Sequence, residues 1–339
     1  MIKRIFWRAV HFLQRIFRET KRYPKVKKNF GVKVARATFK DGLFPPGKSE
    51  NYIKTVEEYV DNFIEPVLDK YKKINVEKFL EKKSNQPKKF EKFPIWCCWW
   101  QGVDSMPELV RMCHKRLHDS IPTNIAEIHV ITFQNISEYV QFPDHIMEKF
   151  QQKKITMTAL SDVLRAELLS QYGGMWIDAT VFLTDHIPDD FFTKRYFSQK
   201  MYDEVKCQRE ACKGRWCGFM MTMTRENVMY DYLRDAFYYW WKYNDDLIDY
   251  VLIDYLILSG YKNLSYIKEM IDQVPNNNEG VFDMYQVLNQ PYTPELYEKL
   301  TKENCIHKLT YKMDLQKKTS DGQQTLYGYL LKEVFEEEN

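Results

Sequence analysis

The feature that most limits the fold of this chain is the string SDVLRAELLSQYGGMWIDATVFLT at residues 161–184. Its first part has the apolar spacing of a helix, Gly173 and Gly174 interrupt that spacing, and an apolar strand follows. Asp178 lies inside the apolar run. Because an unpartnered carboxylate is costly to bury, we expect Asp178 to meet a cation, a hydrogen-bond donor or an open cleft.

Strand-like and helix-like segments alternate around this string. Strand patterns cover residues 95–100, 128–133, 175–182 and 218–224, and helix patterns cover residues 105–118, 157–172, 226–243 and 247–259. We expect Ser105 to cap the first of these helices. The alternation predicts an α/β fold in which helices flank a parallel or mixed sheet. Residues 24–46 look irregular, residues 49–83 look helical, and a last helix is predicted over residues 325–337.

The charge of the chain is concentrated at its N-terminus. Residues 1–28 hold ten Lys or Arg and one Glu, so they carry +9 in a chain whose formal net charge is +3. The rest of the chain is therefore acidic, at −6. With 44% hydrophobic and 15% aromatic residues, the composition excludes a disordered chain.

Residues 1–22 have the pattern of a basic amphipathic helix. Apolar residues, including Trp7 and several Phe, recur at three- and four-residue steps, and Arg residues recur on the other side. The segment has too few consecutive apolar residues to span a bilayer. We therefore expect it to lie on an anionic membrane surface. Docking on its own domain or on a second subunit is the alternative. We expect no nucleic-acid partner, because no basic patch is evident in the body.

The seven cysteines do not suggest a disulfide framework, and no secretory signal precedes them. Reduced thiols in the cytoplasm are the expected state. Cys207, Cys212 and Cys217 are evenly spaced, but they lack the two-residue spacing that is typical of zinc sites. Unpaired thiols are the preferred interpretation.

Helix and strand periodicity bring polar residues of the string together. Asp162 and Arg165 are three apart and share a helix face, while Asp178 and Thr180 share one side of the strand with Trp176. Asp178 lies late in its strand, and ligands of open α/β sheets bind beyond the carboxyl ends of strands. An acid, an arginine and a hydroxyl at that place suit a polyhydroxylated ligand and a divalent cation. A surface ion pair is the alternative for Asp162 and Arg165.

The string resembles the sugar-binding region of glycosyltransferases that carry a DXD motif, and more closely the capsular polysaccharide synthesis branch. The matching residues are Ser161-Asp162, Arg165, Gly173-Gly174, Trp176 and Asp178-Ala179-Thr180. Weaker similarity extends to residues 96–102, 250–255 and 307–312. The resemblance thus covers about residues 94–312.

The resemblance implies a GT-A-like fold: a Rossmann-type mixed sheet flanked by helices, here with an N-terminal helical extension. The expected organisation is an amphipathic helix at residues 1–22, a helical extension at 23–92, the glycosyltransferase domain at 93–320 and a C-terminal helix at 321–339. The implied reaction moves a sugar, as in hexosyltransferases, from a nucleotide-sugar donor to a growing capsular or lipopolysaccharide glycan or a lipid-linked acceptor. It would retain the anomeric configuration and be assisted by Mn²⁺ or Mg²⁺.

The resemblance also implies roles for particular residues. Asp162, Arg165 and Gly174 would belong to the donor-sugar site, and Asp178 would contact the ribose or the metal ion. Trp99 or Trp100 would stack on the base.

One residue departs from the motif, because Thr180 replaces the second acid of DXD and a hydroxyl is a weaker metal ligand. We therefore expect His307 to complete the metal site, with a structural histidine as the alternative. Lys308 and Lys312 would meet the phosphates or else be solvated. Asp254 is the remaining candidate for a catalytic carboxylate, with a structural role equally open.

These expectations place the protein at the inner face of the cytoplasmic membrane of a bacterium, where surface polysaccharide is built. A second hypothesis comes from another class of protein: a catalytically inactive scaffold that binds sugar nucleotides within a polysaccharide assembly. The replacement of the second acid by Thr180 is its main support.

Overall fold

The structure, a computed structural model, describes residues 2–44, 48–203, 205 and 207–336, with the side chains of residues 2–9 and 336 left out. Trp7 and the N-terminal part of the apolar stripe therefore lie outside the described side chains, as do Pro45, Pro46 and Gly47 of the predicted irregular segment. Among the described residues, no helix combines the length and hydrophobicity that crossing a bilayer requires.

Four helices precede the first strand: α1 (Ile2–Leu43), α2 (Glu50–Phe63), α3 (Glu65–Lys72) and α4 (Val76–Ser84). Helix α1 changes direction at Gly31, whose φ of 82° is outside the helical region. Across this bend, the rings of Tyr23 and Phe39 lie 6.0 Å apart and those of Phe12 and Phe44 lie 6.1 Å apart. The two halves of α1 therefore form a helical hairpin.

The prediction of an irregular segment was wrong for residues 24–43, because α1 continues to Leu43 with Pro24 inside it. Burial explains the helix, since Val26, Phe30 and Val34 are packed into the main hydrophobic core. Phe30 lies 6.1 Å from the ring of Trp240 in a later helix. Tertiary packing of this kind stabilises helices whose local sequence is unfavourable.

Five strands form a mixed sheet in the order β2-β1-β3-β6-β5. The strands are β1 (Phe93–Cys98), β2 (Ala126–Ile131), β3 (Gly174–Ile177), β5 (Tyr196–Ser198) and β6 (Met220–Met223). β1 is parallel to β2 and β3, whereas β6 is antiparallel to β3 and β5. A second, two-stranded antiparallel sheet joins β4 (Val181–Leu183) to β7 (Ile306–Lys308).

The remaining helices surround the sheet. They are α5 (Glu108–Ser120), α6 (Asp144–Gln151), α7 (Met157–Tyr172), α8 (Met229–Tyr243), α9 (Leu252–Asn263), α10 (Ser265–Asp272), α11 (Asp283–Gln286), α12 (Pro294–Thr301) and α13 (Leu326–Glu336). α5 connects the parallel strands β1 and β2, and α6 and α7 connect β2 to β3. Ser105 does not cap α5 as predicted, because it belongs to a preceding 3₁₀ turn and the N-cap position is Pro107.

Successive residues of the central strands enter two different hydrophobic cores. Trp96 and Trp176 belong to the core that contains α7, α8 and α9, whereas Ile95 and Met175 belong to the core on the opposite face. A sheet covered on both faces needs apolar residues at every position of its inner strands. The predicted α/β fold with a GT-A-like mixed sheet, flanking helices and an N-terminal helical part is thus confirmed.

The strand predicted over residues 175–182 is in fact two strands in different sheets. β3 ends at Ile177 and β4 begins at Val181. The three residues between them, Asp178 to Thr180, form a turn in which the Val181 amide donates to the Asp178 carbonyl at 2.9 Å. This division places Asp178 just beyond the carboxyl end of β3.

Candidate functional site

A cleft of about 670 Å³ opens beyond the carboxyl ends of β1 and β3. One wall is the first half of α7, which begins after the N-cap Thr156. The β3–β4 turn forms the floor, and the segment that follows β7 forms another wall. Most of the predicted site residues line it: Trp99, Trp100, Asp162, Arg165, Asp178, Thr180, Lys308 and Lys312.

Asp178 is the centre of a compact polar cluster in this cleft. Its Oδ1 accepts hydrogen bonds from Trp176 Nε1 at 2.8 Å and from Arg165 Nη2 at 3.3 Å. Its Oδ2 accepts from Lys308 Nζ at 2.8 Å. The side chain keeps 30% of its surface exposed, so this carboxylate is both paired and open to the cleft, as the sequence predicted.

Arg165 is held in one orientation by several neighbours. Its guanidinium lies 4.8 Å from the ring centroid of Trp176, and Nη2 lies 3.4 Å from Asp162 Oδ1. The side chain is 7% exposed. The alternative of a surface ion pair between Asp162 and Arg165 is therefore wrong, because the pair is mostly buried in the cleft wall.

The two acids of the cluster differ in their ionisation. Burial alone would raise the pKa of Asp178, but Lys308 and Arg165 outweigh it and hold this pKa below its usual value. For Asp162, burial raises the pKa to about 7, with Arg165 opposing and Asp178 adding to the rise. Asp178 is thus a stable anion, whereas Asp162 titrates close to neutrality.

Lys308 reaches the cluster from a distant part of the chain. In the β4–β7 pair it lies opposite Val181, and the Leu309 amide donates to the Thr180 carbonyl at 2.9 Å. These backbone contacts fix the start of its side chain. Its Nζ then donates to Thr180 Oγ1 at 2.6 Å as well as to Asp178.

The two candidate tryptophans have different environments. Trp100 is 6% exposed, stacks on Phe133 at 4.7 Å and donates to Ser161 Oγ at 2.8 Å. Trp99 is half-buried and lies edge-on to Tyr311 at 5.7 Å. Trp99 therefore has the ring that is more available to a flat ligand.

His307 does not join the cluster. Neighbouring residues of a strand point to opposite sides, so when Lys308 faces Asp178, His307 faces away. It is fully buried opposite Phe182, with Nε2 3.4 Å from Thr184 Oγ1. Burial lowers the pKa of His307 to about 4. This geometry agrees with the structural alternative and does not support a metal-ligand role.

Two further predicted residues do not line the cleft. Gly174 is at the opposite end of β3 from Asp178, with φ of +96°, and a Cβ there would lie 2.1 Å from the Pro94 carbonyl oxygen. The glycine allows β1 and β3 to pack closely, which explains the glycine of the motif without any contact to a ligand.

Asp254 is on α9 and accepts from Trp216 Nε1 at 3.0 Å, and burial raises its pKa to about 6. It does not line the cleft with Asp178.

The donor groups around Asp178 do not fit the divalent ion that the resemblance implies. Both carboxylate oxygens already accept from donors, and the Thr180 hydroxyl is taken by the same lysine. No three His, Cys, Asp or Glu side chains of the described residues are grouped so as to hold a metal ion. A Mn²⁺ or Mg²⁺ ion between Asp178 and Thr180 would have to displace the ammonium of Lys308.

The described cysteines form no disulfide.

Several lining residues were not predicted from the sequence. They include Gln101, Thr158, Phe282, Tyr285 and Tyr311. In the sequence, Tyr311 lies between Lys308 and Lys312, two candidate phosphate-binding residues. This position could have identified Tyr311 as a residue of the site. Phe282 and Tyr285 are in a segment without a motif, so only the tertiary fold places them here.

The described residues also enclose two other large cavities. One, of about 620 Å³, lies at the opposite end of β3 and is lined by the cations Lys82, Lys83, Lys88, Lys89, Lys92, Arg225 and Arg234. The prediction that the body of the chain has no basic patch is wrong, because these cations lie together around one cavity. Several of its groups are engaged within the protein: Lys83 pairs with Asp231, and Arg225 donates to the carbonyls of Gln86 and Pro87. The other, of about 770 Å³, lies beside α10 and β5.

The cleft at Asp178 has the chemistry of a site for a hydroxylated, anionic ligand. Asp162 and Arg165 offer an acceptor and donors to hydroxyl groups, and Trp99 offers an aromatic face. Lys312 is exposed at the rim, and its ammonium has no partner within the part of the chain that the structure describes. The two lysines would attract negative charge.

Comparison with known proteins identifies one family. The model of the capsular polysaccharide synthesis protein family matches residues 47–330, which include the whole sheet and the cleft. No curated protein matches the chain.

Proposed function

Because the chain belongs to the capsular polysaccharide synthesis protein family, we propose that it is a glycosyltransferase that moves a sugar from a nucleotide-sugar donor to a growing surface glycan. The acceptor would be a capsular or lipopolysaccharide chain, or a lipid-linked precursor. The observation that carries this proposal is the cluster of Asp162, Arg165 and Asp178 beyond the carboxyl ends of parallel strands.

In the proposed complex, the donor lies along the cleft from α7 to β7. Asp162 and Arg165 would hydrogen-bond to hydroxyls of the sugar or ribose, and Trp99 would stack on the base. The diphosphate would then lie on the side of Lys308 and Lys312. The acceptor hydroxyl would attack from the leaving-group face, which retains the anomeric configuration. No carboxylate other than Asp162 and Asp178 lines the cleft in the described residues, so Asp254 has no part in this proposal.

Slow hydrolysis of the donor provides the test. The purified protein would be incubated with UDP-, GDP-, CDP-, ADP- and dTDP-sugars, and release of the nucleoside diphosphate would be measured. We expect release from at least one donor and at least a tenfold loss in Asp178→Ala, because that carboxylate orients both Arg165 and Lys308. Asp189→Ala, which alters an exposed acid after β4, is the matched control. Equal rates in the Asp178→Ala variant would contradict the proposal.

A second function is favoured by the residues at the two motif positions. Thr180 replaces the second acid, and Asp178 is paired with Lys308 of the same chain. In that case the chain would bind sugar nucleotides as a scaffold of a polysaccharide assembly. Binding without turnover of any donor, and unchanged cellular glycan in an Asp178→Ala strain, would favour the scaffold.

We also propose that the N-terminal half of α1 holds the protein at the inner face of the cytoplasmic membrane. Leu13 and Phe17 are 63% and 64% exposed. Exposed cations such as Arg18 and Lys21 accompany them. Large exposed apolar groups beside cations suit an anionic bilayer surface.

A further inference from the structure

Lys308 occupies the place between Asp178 and Thr180 that the motif would reserve for a metal ion. Its Nζ lies 2.8 Å from Asp178 Oδ2 and 2.6 Å from Thr180 Oγ1. The side chain is 20% exposed, so the ammonium lies at the surface of the cleft. The two motif positions therefore act together on one cation, and that cation is part of the protein.

The position of the ammonium is fixed by neighbouring structure. β7 pairs with β4, and the Lys308 amide donates to the Val281 carbonyl at 2.8 Å. Its Nζ lies over the ring of Phe219, 5.4 Å from the ring centroid. A cation held from its backbone to its tip needs little rearrangement when a ligand arrives.

The charge around Asp178 favours an anion over a second cation. Arg165 Nη2 contacts one carboxylate oxygen at 3.3 Å and Lys308 contacts the other. Two positive groups thus face Asp178, whose two oxygens are both paired, while Asp162 lies 3.4 Å from the same Arg165 nitrogen and is only partly ionised near neutral pH. A divalent ion would meet the repulsion of both cations at short range. A diphosphate would instead be attracted to both groups and to the exposed Lys312.

An ammonium group has three N–H donors. Asp178 and Thr180 use two of those on Lys308, which leaves the third available to a ligand in the cleft. Lysine is a compact point charge on a flexible stem and is a common phosphate binder. The geometry therefore allows it to hold the turn and touch a ligand at once.

We infer that Lys308 replaces the divalent metal ion of this site, so that the chain binds and activates the diphosphate of its donor without a metal. This inference rests on the proposed glycosyltransferase function. Lys308 would contact the β-phosphate, and Lys312 would add charge from the rim. Thr180 is then a suitable motif residue, because a hydroxyl oxygen accepts a hydrogen bond from an ammonium group.

The bond changes of the transfer balance without a metal. The bond between the anomeric carbon and the β-phosphate oxygen breaks, and its electron pair remains on that oxygen. Lys308 stabilises the negative charge that develops there. The acceptor hydroxyl oxygen forms the new bond to the anomeric carbon, and its proton passes to the departing phosphate.

The test measures binding as well as turnover. UDP, GDP, CDP, ADP and dTDP would each be titrated calorimetrically into the full chain, in EDTA and in MnCl₂. We expect at least one to bind with affinities that agree within about twofold between the two conditions. Lys308→Met should weaken that binding by about 10- to 100-fold, as expected for loss of a charged hydrogen bond. Lys302→Met, at an exposed position after α12, should have no effect.

The outcomes separate the two proposals. Binding that appears only with MnCl₂, or rises tenfold with it, would overturn the metal-independent site and leave the glycosyltransferase proposal intact. Failure of every nucleotide under both conditions would overturn both. The comparison of EDTA with MnCl₂ uses the unaltered protein, so it decides the question even if Lys308→Met does not fold. Hydrolysis of a donor by the unaltered protein in EDTA is the supporting kinetic result.

Discussion

At the scale of single residues, the cleft is organised by one carboxylate with three donors. Asp178 receives an indole N–H, a guanidinium and an ammonium from three different elements: β3, α7 and β7. Its ionisation is secured by those cations, whereas Asp162, one helical turn from Arg165, is poised near neutrality. Two carboxylates in one cleft thus have different ionisation behaviour because their neighbours differ.

Asp162 leads to a pH-dependent prediction about stability. Its pKa is raised from 3.8 to about 7, so the folded state binds this proton more tightly than the unfolded state does. The contribution of this carboxyl group to the stability of the wild type should therefore fall as pH rises from about 4 to about 7. Asp162→Asn lacks this loss, so its free energy of unfolding relative to wild type should increase across that range, by at most about 1.4 kcal/mol per pH unit.

Urea denaturation of both proteins at several pH values measures this difference. Asp162→Ala is the companion variant: it has a different absolute stability, but it should show the same trend because it too lacks the titrating group. A difference that stays constant between pH 4 and 7 would contradict the raised pKa.

The candidate site shows what sequence patterns can and cannot predict at this scale. Asp162 and Arg165 are three apart, so helix periodicity is enough to place them on one face, and Asp178 follows closely in the same short string. The choice between His307 and Lys308 depends on which of them faces Asp178. The residue that faces Asp178 is decided by the register of β7 against β4, in which Val181 pairs with Lys308. No local sequence pattern predicts this register.

At the scale of elements, the α7–β3 connection determines where the site can be. Gly173 ends α7 with φ of +68°, and Gly174 opens β3 with φ of +96°. α7 and β3 are then placed so that Arg165 and Asp178 meet. The sequence predicted the helix and the break correctly, because apolar spacing and glycines are local signals. It missed the division between β3 and β4, because apolar residues flank Asp178 to Thr180 on both sides and only pairing partners distinguish the two strands.

Gly174→Ala should destabilise the fold more than an equivalent change elsewhere. A Cβ at this position would lie 2.1 Å from the Pro94 carbonyl oxygen, which is backbone and cannot move away easily. Gly322→Ala is the matched control, since Gly322 has φ of +87° but no atom within 4 Å of the added carbon. Both variants have backbone strain, so their difference isolates the steric clash. We expect Gly174→Ala to cost roughly 1–3 kcal/mol more in urea unfolding; equal losses would contradict the close approach.

At the scale of the whole molecule, the helices before the sheet are continuous with its core. Phe63 packs on Trp240 at 5.1 Å, and Tyr71 packs on Tyr232 at 5.6 Å. The sequence predicts these segments as an extension, because the alternation of strand and helix patterns begins only near residue 93. The packing of the earlier helices against the core is not visible in the sequence. Among the described side chains of α1, those before Tyr23 take no part in this shared core, and Leu13 and Phe17 are exposed.

That arrangement suggests a sharper membrane test than deletion of the basic segment. Glu19 is almost fully buried beside Gly42, so removing residues 1–22 would also disturb the α1 hairpin. Leu13→Ser combined with Phe17→Ser changes only exposed side chains. The double variant should bind vesicles that contain anionic phosphatidylglycerol at least tenfold more weakly than wild type, because two apolar groups no longer enter the interface.

Co-sedimentation with vesicles measures this binding. Wild type should bind phosphatidylglycerol vesicles more tightly than phosphatidylcholine vesicles, and salt should weaken the binding because cations such as Arg18 and Lys21 contribute to it. Phe335→Ser is the matched control, since Phe335 is 42% exposed on α13, far along the chain from α1. Equal binding by wild type and the double variant would mean that the exposed face of α1 serves a protein partner or a second copy instead. The cleft would then have to meet its acceptor without this anchor.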